Sequence, residues 1–349
     1  MTPAAAGPDP ARRRLALGGL AGLGLAGGLC LATGGCALRS ALPPPAAPPV
    51  AAGAAPMLAP GPPVQLQAVA PGVYMARGQP GVADAANLGR IGNAGVIVGP
   101  RGVVCIDTGS SRQHGEALLA AVAELTDQPV RLALLTQVRP EFVFGAAAFQ
   151  ARGIALLMHQ RGANLMAARC ETCLRQLRQQ VGEAPLQGTV LARPDQVFSD
   201  GQLLQLIGRP LQLLYPGPAG TPGDIAVFDT HTGSLFAGGL VSVGRIPDIQ
   251  DSDWAGWHAA LAALARLPVR QLVPGHGPAA GPQAIAQTDR YLTQLARRAR
   301  ALVAEGSALM NIGEALELPE FAAWDQYETT HRRNASIAYL RVEREALLQ

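Results

Sequence analysis

The sequence contains no lysine, and charged residues of all kinds make up only 15% of its 349 residues. The 28 basic residues are therefore all arginine, and they are scattered along the chain. A nucleic-acid surface requires a basic patch, so we expect no nucleic-acid partner, and the net charge of +3 indicates no other partner. A long-period repeat is also absent. The hydrophobic content of 48% is enough for one large domain or two small ones.

Cysteine is scarce as well, at five residues. Cys105 lies in an apolar run typical of a buried strand and is expected in the core. Cys170 and Cys173 form a Cys-x-x-Cys pair in a helical stretch. We expect a local disulfide if the chain is exported; reduced core thiols and a redox or metal function are the alternatives. Two cysteines alone cannot hold zinc, and the βαβ context of thioredoxin-like proteins is missing.

The first 36 residues have the features of an export signal and not of a folded domain. Three arginines at 12–14 precede a glycine-rich apolar run over 15–33, which resembles a bacterial signal of the twin-arginine type. Cys36 follows two glycines, as at a lipoprotein cleavage site, and is the candidate for lipidation. Ordinary cleavage near Ala37 and an uncleaved anchor are the alternatives. We expect a periplasmic protein whose membrane contact is this N-terminal anchor alone.

Residues 37–63 are dominated by proline and alanine and are interpreted as a linker. Such a composition cannot bury enough apolar surface to fold, so it predicts an extended tether. The folded body is expected over residues 64–280. A helical extension over residues 281–349 is expected to pack on that body.

Hydrophobic periodicity divides the body into short strands separated by helices. Apolar runs predict strands at 64–76, 91–99, 103–106, 130–135, 155–158, 189–191, 203–207, 211–215, 224–229, 234–237 and 271–273. Helical spacing predicts helices at 110–127, 144–152, 161–182, 254–267, 282–305, 312–316 and 334–348. This order fits an α/β fold of the αββα type, a four-layer sandwich of two mixed sheets packed face to face with helices outside.

Six short motifs follow one another along the body. They are Gly92-Asn93-Ala94-Gly95, Ile106-Asp107-Thr108-Gly109, the segment 136–145, Thr221-Pro222-Gly223-Asp224, Leu235-Phe236-Ala237-Gly238-Gly239 and Pro274-Gly275-His276-Gly277. Each motif is weak alone, but their order over residues 73–278 resembles that of the metallo-β-lactamase fold family. The resemblance implies the αββα sandwich and a hydrolase that activates a zinc-bound water.

The resemblance also implies where zinc ligands should stand, and most of those positions hold other residues. His276 matches the last ligand loop of the family. The remaining ligand positions, which the family fills with histidine and aspartate, hold Gln137, Arg139, Glu141, Phe142, Gly220 and Gly239. An amide binds zinc weakly and a guanidinium cannot be a ligand. Only His276 and Glu141 could therefore still coordinate a metal.

A second set of features comprises Arg245-Ile246-Pro247-Asp248, Trp257, and a tail with His331-Arg332-Arg333-Asn334 and residues 339–343. These features show a narrower resemblance to the periplasmic zinc-metallohydrolase-like proteins of quinoprotein relay systems. This resemblance implies periplasmic quinoprotein dehydrogenases or c-type cytochromes as partners.

Three hypotheses follow for the site. In the favoured one the site is catalytically dead and no cofactor is expected; Arg139 and Glu141 form an internal ion pair, and Phe142 fills the space of the metal. In the second, Arg139 beside Gln137 holds a small anionic ligand, either a carboxylate or a phosphate. In the third, His276 and Glu141 retain zinc as an atypical mononuclear site that hydrolyses a small ester or thioester.

Other polar residues are expected to be structural. The histidines at helix starts, strand ends and turns are expected to pack or to lie at the surface: His114, His159, His231 and His258. Asp107 and Asp224 stand beside threonine, glycine or proline, so we expect them to accept hydrogen bonds from nearby backbone amides. For the His276 ring, a hydrogen bond to the loop backbone is the structural alternative to metal binding.

Overall fold

The computed structural model describes residues 61–348. The predicted signal segment, Cys36 and nearly all of the predicted linker lie outside these residues. Within the described part, no helix is both long enough and apolar enough to span a membrane.

The first sheet has seven strands that lie side by side in chain order. They are β1 (Leu66–Ala70), β2 (Val73–Ala76), β3 (Ala94–Gly99), β4 (Gly102–Ile106), β5 (Val130–Leu135), β6 (Ala155–His159) and β7 (Gln196–Phe198). Strands β1 to β4 pair antiparallel, whereas β4 to β7 pair parallel. Parallel neighbours need crossover connections, and the helices between these strands provide them.

The second sheet has five strands in the order β12-β11-β10-β9-β8. Their bounds are β8 (Gln202–Leu204), β9 (Leu211–Leu214), β10 (Ala226–Asp229), β11 (Ser234–Ser242) and β12 (Gln271–His276). Only β11 and β12 pair parallel within this sheet, and a helix connects them. Both sheets are thus mixed, as the order of elements in the sequence predicted.

Helices cover the outer faces of both sheets. They are α1 (Arg112–Leu125), α2 (Pro140–Val143), α3 (Ala146–Gln150), α4 (Gln160–Val181), α5 (Trp254–Leu264), α6 (Gln283–Ala304), α7 (Ile312–Ala315) and α8 (Arg332–Leu347). One apolar cluster joins α1 and α3 to the first sheet, and another joins α5, α6 and α8 to the second. A third cluster, which includes Ile97 and Phe236, lies between the sheets. The αββα sandwich is confirmed.

Burial on both faces explains the continuous apolar runs of the central strands. All five residues of β4 are buried, as is usual for strands covered on both sides.

Helix α1 begins where the Ser111 side chain accepts a hydrogen bond from the His114 amide, a common N-terminal cap.

The predicted elements differ from the observed ones in several places, and neither β7 nor α2 was predicted. The strand predicted over 64–76 is a pair of antiparallel strands, because Gly72 has a φ of +70° and turns the chain. The strand predicted at 189–191 does not form. Instead, the Thr189 hydroxyl accepts a hydrogen bond from the Arg112 amide at 3.0 Å, which ties this segment to the start of α1.

Arg209 ties the two sheets together at one edge. Its guanidinium pairs with Asp229, a fully buried residue at the end of β10, and donates to the carbonyls of Pro71 and Val98 at 3.1 Å each. Burial by itself would raise the pKa of Asp229, but hydrogen bonds from Arg209 and Thr232 outweigh it. The pKa of Asp229 therefore lies below its ordinary value.

Candidate functional site

A cavity of about 210 Å³ opens where several strands of the sandwich end. β5 leads into the loop of Gln137, and β12 ends at His276. The lining includes six of the seven positions singled out in the sequence, namely Gln137, Arg139, Glu141, Gly220, Gly239 and His276. Phe142 is the seventh; it is fully buried and is not part of the lining. The folded chain therefore brings these separate motifs to one place.

His276 and Glu141 form a hydrogen-bonded pair in the cavity. His276 Nε2 lies 3.0 Å from Glu141 Oε1, so the ring bonds a carboxylate and not the loop backbone. Burial lowers the pKa of His276, which favours the neutral ring as the hydrogen-bond donor. Burial raises the pKa of Glu141, but the hydrogen bond from His276 and the charge of Arg139 bring it down to about 2. Glu141 is thus an ionised acceptor.

Arg139 pairs with Asp248 and not with Glu141, so the predicted Arg139–Glu141 ion pair is wrong. Arg139 Nη1 lies 2.9 Å from Asp248 Oδ2, and Arg333 Nη2 lies 2.8 Å from the same oxygen. Arg139 occupies the N-cap position of α2, where its side chain makes no capping bond, whereas Glu141 lies in the first turn. The Arg139 guanidinium therefore bonds Asp248 in place of the helix.

The Gln137 side chain occupies the space that a side chain at position 239 would need, called here the space above Gly239. A Cβ atom at Gly239 would lie 2.1 Å from Gln137 Oε1, far inside van der Waals contact. Gln137 is 2% exposed, and its Nε2 has no hydrogen-bond partner. An unpartnered buried amide is unusual because it loses its bond to water without replacing it. A side chain at 239 therefore fits only if the Gln137 side chain moves or is replaced.

Trp257 and Asp224 occupy the space above Gly220 in the same way. A Cβ atom at Gly220 would lie 2.9 Å from Asp224 Oδ2 and 3.2 Å from Trp257 Cη2. Phe142 was predicted to fill the metal space, but it packs behind it, with its ring edge-on to His276 at 5.2 Å. The prediction was wrong because Phe142 turns inward from α2 into the apolar cluster shared with α4.

Asp107 and Asp224 each accept a backbone amide, as the sequence predicted, but only Asp224 bonds its own loop; the partner of Asp107 lies just after the end of β5. Asp107 accepts the Thr136 amide at 2.8 Å and the Thr136 hydroxyl at 2.7 Å. Asp224 accepts the Thr221 amide at 2.7 Å and also bonds its hydroxyl. Burial raises the pKa of Asp107 to about 7 and that of Asp224 to about 6. Their oxygens are committed to these hydrogen bonds.

The described residues contain no group of three or more His, Cys, Asp and Glu side chains placed to hold a metal ion. The other predicted packing histidines lie away from the cavity lining. His114 is buried in the first turn of α1, His159 stacks on Tyr215 at 3.6 Å between ring centroids, and His258 Nδ1 lies 2.6 Å from Asp289 Oδ1.

Comparison with known proteins identifies the family. The family model for the metallo-beta-lactamase superfamily matches residues 88–276, more than half of the chain. The chain belongs to the metallo-beta-lactamase superfamily. A curated relative in the superfamily, the metallo-beta-lactamase type 2 of Bacteroides fragilis, is 31% identical over 106 residues. That match covers 29% of this chain and 43% of the relative, so it spans less than half of the relative's length.

Solved metallo-beta-lactamase structures share the fold at low sequence identity. The structure from Pontibacter korlensis is 21% identical with a TM-score of 0.55, covering 66% of this chain and 99% of that one. The structure from Hirschia baltica is also 21% identical, with a TM-score of 0.53 and coverage of 66% and 98%.

The cavity of this superfamily member extends beyond the region that the family model matches. Gln326, Thr330 and Arg333 belong to the C-terminal segment and line the cavity. Gln326 has a φ of +70°, and Tyr327–His331 is a π-helical turn. Both features often mark functional sites. The tail motif was noted in the sequence, but nothing there assigned it to the site.

Asn334, from the tail motif, bonds the loop that carries the motif at 245–248; these two motifs suggested the narrower resemblance. Its Nδ2 donates to the Pro247 carbonyl at 2.7 Å and to the Tyr291 hydroxyl at 3.0 Å. Its Oδ1 accepts the Ile249 amide at 3.3 Å. Asp248 lies between these two anchored residues. The loop that carries Asp248 is therefore fixed to α8 on both sides, and the C-terminal helices form part of the site.

Cys170 and Cys173 are free thiols in the structure, in place of the expected disulfide. Cβ atoms three residues apart on a helix are about 5–6 Å apart, whereas a disulfide needs about 3.5–4.5 Å. A second expectation is also corrected, because β6, α4 and β7 do form a parallel βαβ unit. The pair lies within α4 and not at its N-terminus.

Cys173 should be the most reactive of the described thiols. A hydrogen bond with Cys170 lowers the pKa of Cys173 to about 7, although burial opposes the shift. Burial raises the pKa of Cys105 to about 12, and the bond to Cys173 raises that of Cys170. Because the thiolate is the nucleophile, iodoacetamide at pH 8 should label Cys173 first.

Peptide mass spectrometry of the folded chain over time would measure this order. The rate at Cys173 should rise as the pH passes through 7, and Cys170→Ala, which removes the hydrogen-bond donor, should raise the pKa of Cys173 and slow its labelling at pH 7. Equal labelling of Cys105 and Cys173 would contradict the prediction.

Proposed function

We propose that this protein is a non-catalytic member of the superfamily that acts as a periplasmic binding or accessory protein. The observation that carries the proposal is the occupied space at two predicted ligand positions. Gln137 fills the space above Gly239, and Trp257 and Asp224 fill the space above Gly220. Side chains of ligand size do not fit at 220 or 239 while these neighbours stay in place.

The donor chemistry supports the same proposal. Zinc sites are built from neutral imidazoles, carboxylates and thiolates, but the cavity presents an amide at 137 and a guanidinium at 139. The two metal-capable residues, His276 and Glu141, bond each other at 3.0 Å. The residues present do not fit a two-zinc centre, and we derive no catalytic step through one.

The cavity offers donors to a small anionic ligand. Arg139, Arg245 and Arg333 line it, and guanidinium groups bind carboxylate and phosphate oxygens in forked pairs. The Gln137 amide adds an N–H group that has no hydrogen-bond partner. We propose a small carboxylate or phosphate as the ligand class. Quinoprotein or cytochrome partners stay a prediction from the resemblance.

A second candidate function is favoured by one observation. His276 and Glu141 still lie side by side with low exposure, 11% for each side chain. A mononuclear metal held by this pair would make the protein a hydrolase of small esters or thioesters, if other ligands came from water or substrate. Metal content separates the two functions.

Elemental analysis should find less than about a tenth of an equivalent of zinc per chain, because firm zinc sites need at least three protein ligands. The protein is purified without a histidine tag and dialysed against trace zinc. One or two equivalents would overturn the non-catalytic proposal and favour the hydrolase.

Gln137→His with Arg139→His is the matched variant for this measurement. It introduces two imidazoles but leaves Gly220 and Gly239 without donors, so zinc content should rise little. A tight stoichiometric site in this variant would show that fewer positions decide metal binding than we propose.

A further inference from the structure

Asp248 is a carboxylate already bound by two arginines at the cavity wall. Its Oδ2 lies 2.9 Å from Arg139 Nη1 and 2.8 Å from Arg333 Nη2. The two guanidiniums belong to segments 194 positions apart in the chain (333 minus 139), yet they converge on one oxygen. Convergent charge-assisted donors of this kind are the usual means of binding a ligand carboxylate or phosphate. The structure thus contains an anion at this spot, supplied by its own chain.

The backbone around Asp248 is fixed, but its side chain is not enclosed. Asn334 bonds the flanking residues Pro247 and Ile249. The Asp248 side chain is 18% exposed, and Arg333 is 49% exposed. The other carboxylate oxygen of Asp248, Oδ1, accepts only the Gln250 amide, at 2.9 Å, and water can replace this bond. Rotation of this one side chain therefore uncovers both guanidiniums without moving the loop.

The charges of the cavity lining balance one another while the Asp248 side chain stays in place. The three arginines of the lining, Arg139, Arg245 and Arg333, are balanced by three acidic residues of the same lining, Glu141, Asp224 and Asp248. Arg245 is also paired with Asp325 at 2.7 Å. No net positive charge is left to attract an anion while Asp248 stays in place. Removal of the Asp248 charge would release two adjacent guanidiniums.

We propose that the cavity is an oxyanion site kept closed by Asp248, and that a small carboxylate or phosphate ligand binds by exchanging with this side chain. This inference rests on the proposed binding function and adds its regulation. The cavity of about 210 Å³ is smaller than the roughly 300–1,000 Å³ of drug-sized sites, so the ligand is small. Apolar contacts from Ile246 and Trp257 in the lining would face its carbon skeleton.

Isothermal titration calorimetry of Asp248→Asn with malonate and with inorganic phosphate tests the proposal. Asparagine keeps the size of the side chain and can still accept the Gln250 amide. We expect the variant to bind one of the two anions at least about tenfold more tightly than the unaltered chain, since two charge-assisted donors become free. The preferred anion then distinguishes a carboxylate ligand from a phosphate ligand.

Two control variants make the result specific. Asp251→Asn removes the same charge from the nearby Arg169 pair, which lies outside the cavity lining, and should leave anion affinity unchanged. Asp248→Asn combined with Arg333→Gln should lose the gain. Circular dichroism and thermal unfolding of each variant establish that it is folded, and Asp248→Ser replaces Asp248→Asn if that variant does not fold.

Two outcomes would overturn the inference. One is unchanged or weaker anion binding in folded Asp248→Asn; the other is a gain that persists without Arg333 or appears equally in Asp251→Asn. Neither outcome contradicts the proposed non-catalytic function, because that function is tested by the zinc measurement. Stoichiometric zinc with turnover would remove that function, whatever the affinity of Asp248→Asn.

Discussion

Replacing Trp257 with alanine should lower the free energy of unfolding by about 3–5 kcal/mol, the range for large buried aromatic residues. Trp257 is 1% exposed and belongs to the apolar cluster between the second sheet and its helices. Its indole N–H donates to the Leu240 carbonyl at 3.0 Å. The substitution removes both the packing and this bond, and it opens a void beside Gly220.

Urea denaturation would measure this effect, with Trp254→Ala as the matched control on the same helix. Trp254 is only partly buried against the cluster, and its indole nitrogen has no hydrogen-bond partner. Its ring lies under Arg341, 5.5 Å from the guanidinium carbon. We expect a clearly smaller loss for this control. A Trp257→Ala loss below about 1 kcal/mol would mean that the indole does not close the space above Gly220.

Arg209→Met should destabilise the protein by about 3–5 kcal/mol, because removal of one partner leaves a buried charge without compensation. Methionine keeps most of the volume, so the loss is mainly electrostatic. Asp229 is fully buried, and the carbonyls of Pro71 and Val98 lose their donor as well. Arg209→Met with Asp229→Asn should recover part of the loss, since the unpaired charge is gone.

The effect of Arg209→Met should depend on pH. The pKa of Asp229 is lowered in the folded protein, so its stabilising contribution is complete above the unfolded value of about 3.9 and is lost as pH falls through the folded value. Without Arg209, burial dominates and Asp229 takes up a proton at higher pH. The difference between variant and unaltered protein should therefore narrow from pH 7 toward pH 3.

Urea titrations at several pH values would record this difference, with Arg169→Met as the control. Arg169 pairs with Asp251 on the surface, with side-chain exposures of 54% and 29%. Exposed ion pairs contribute about 0–1 kcal/mol, so the control should change stability little. A constant difference across the pH range would show that the Arg209–Asp229 charges are not its cause.

The fold was predictable because apolar runs locate most strands and their order with the helices fits a sandwich. The resemblance of the motifs to the family placed Gln137, Gly239 and His276 at one site. In the structure Gln137 follows β5, Gly239 lies within β11 and His276 ends β12. Gly72 was missed as a turn because an apolar–polar alternation continues through it, and its positive φ is not visible in that pattern.

The contacts inside the site could not be predicted from the sequence. Arg139 and Glu141 were predicted to form an ion pair, but each has a distant partner. Arg139 reaches Asp248 across 109 positions and Glu141 reaches His276 across 135. The partner of each side chain depends on which loops the fold brings next to it. Nor does a glycine in a sequence indicate which side chain fills the space above it.

The contacts above the two glycines also restrict the order in which mutations can accumulate in a lineage. A single change to aspartate at 239 places its Cβ 2.1 Å from Gln137 Oε1, and any larger residue at 220 meets Asp224 at 2.9 Å. Each such change is disfavoured until its neighbour has changed first. A substitution at 239 therefore requires the Gln137 side chain to move or to change with it, and one at 220 requires the same of Asp224, so changes at these positions are coupled in pairs.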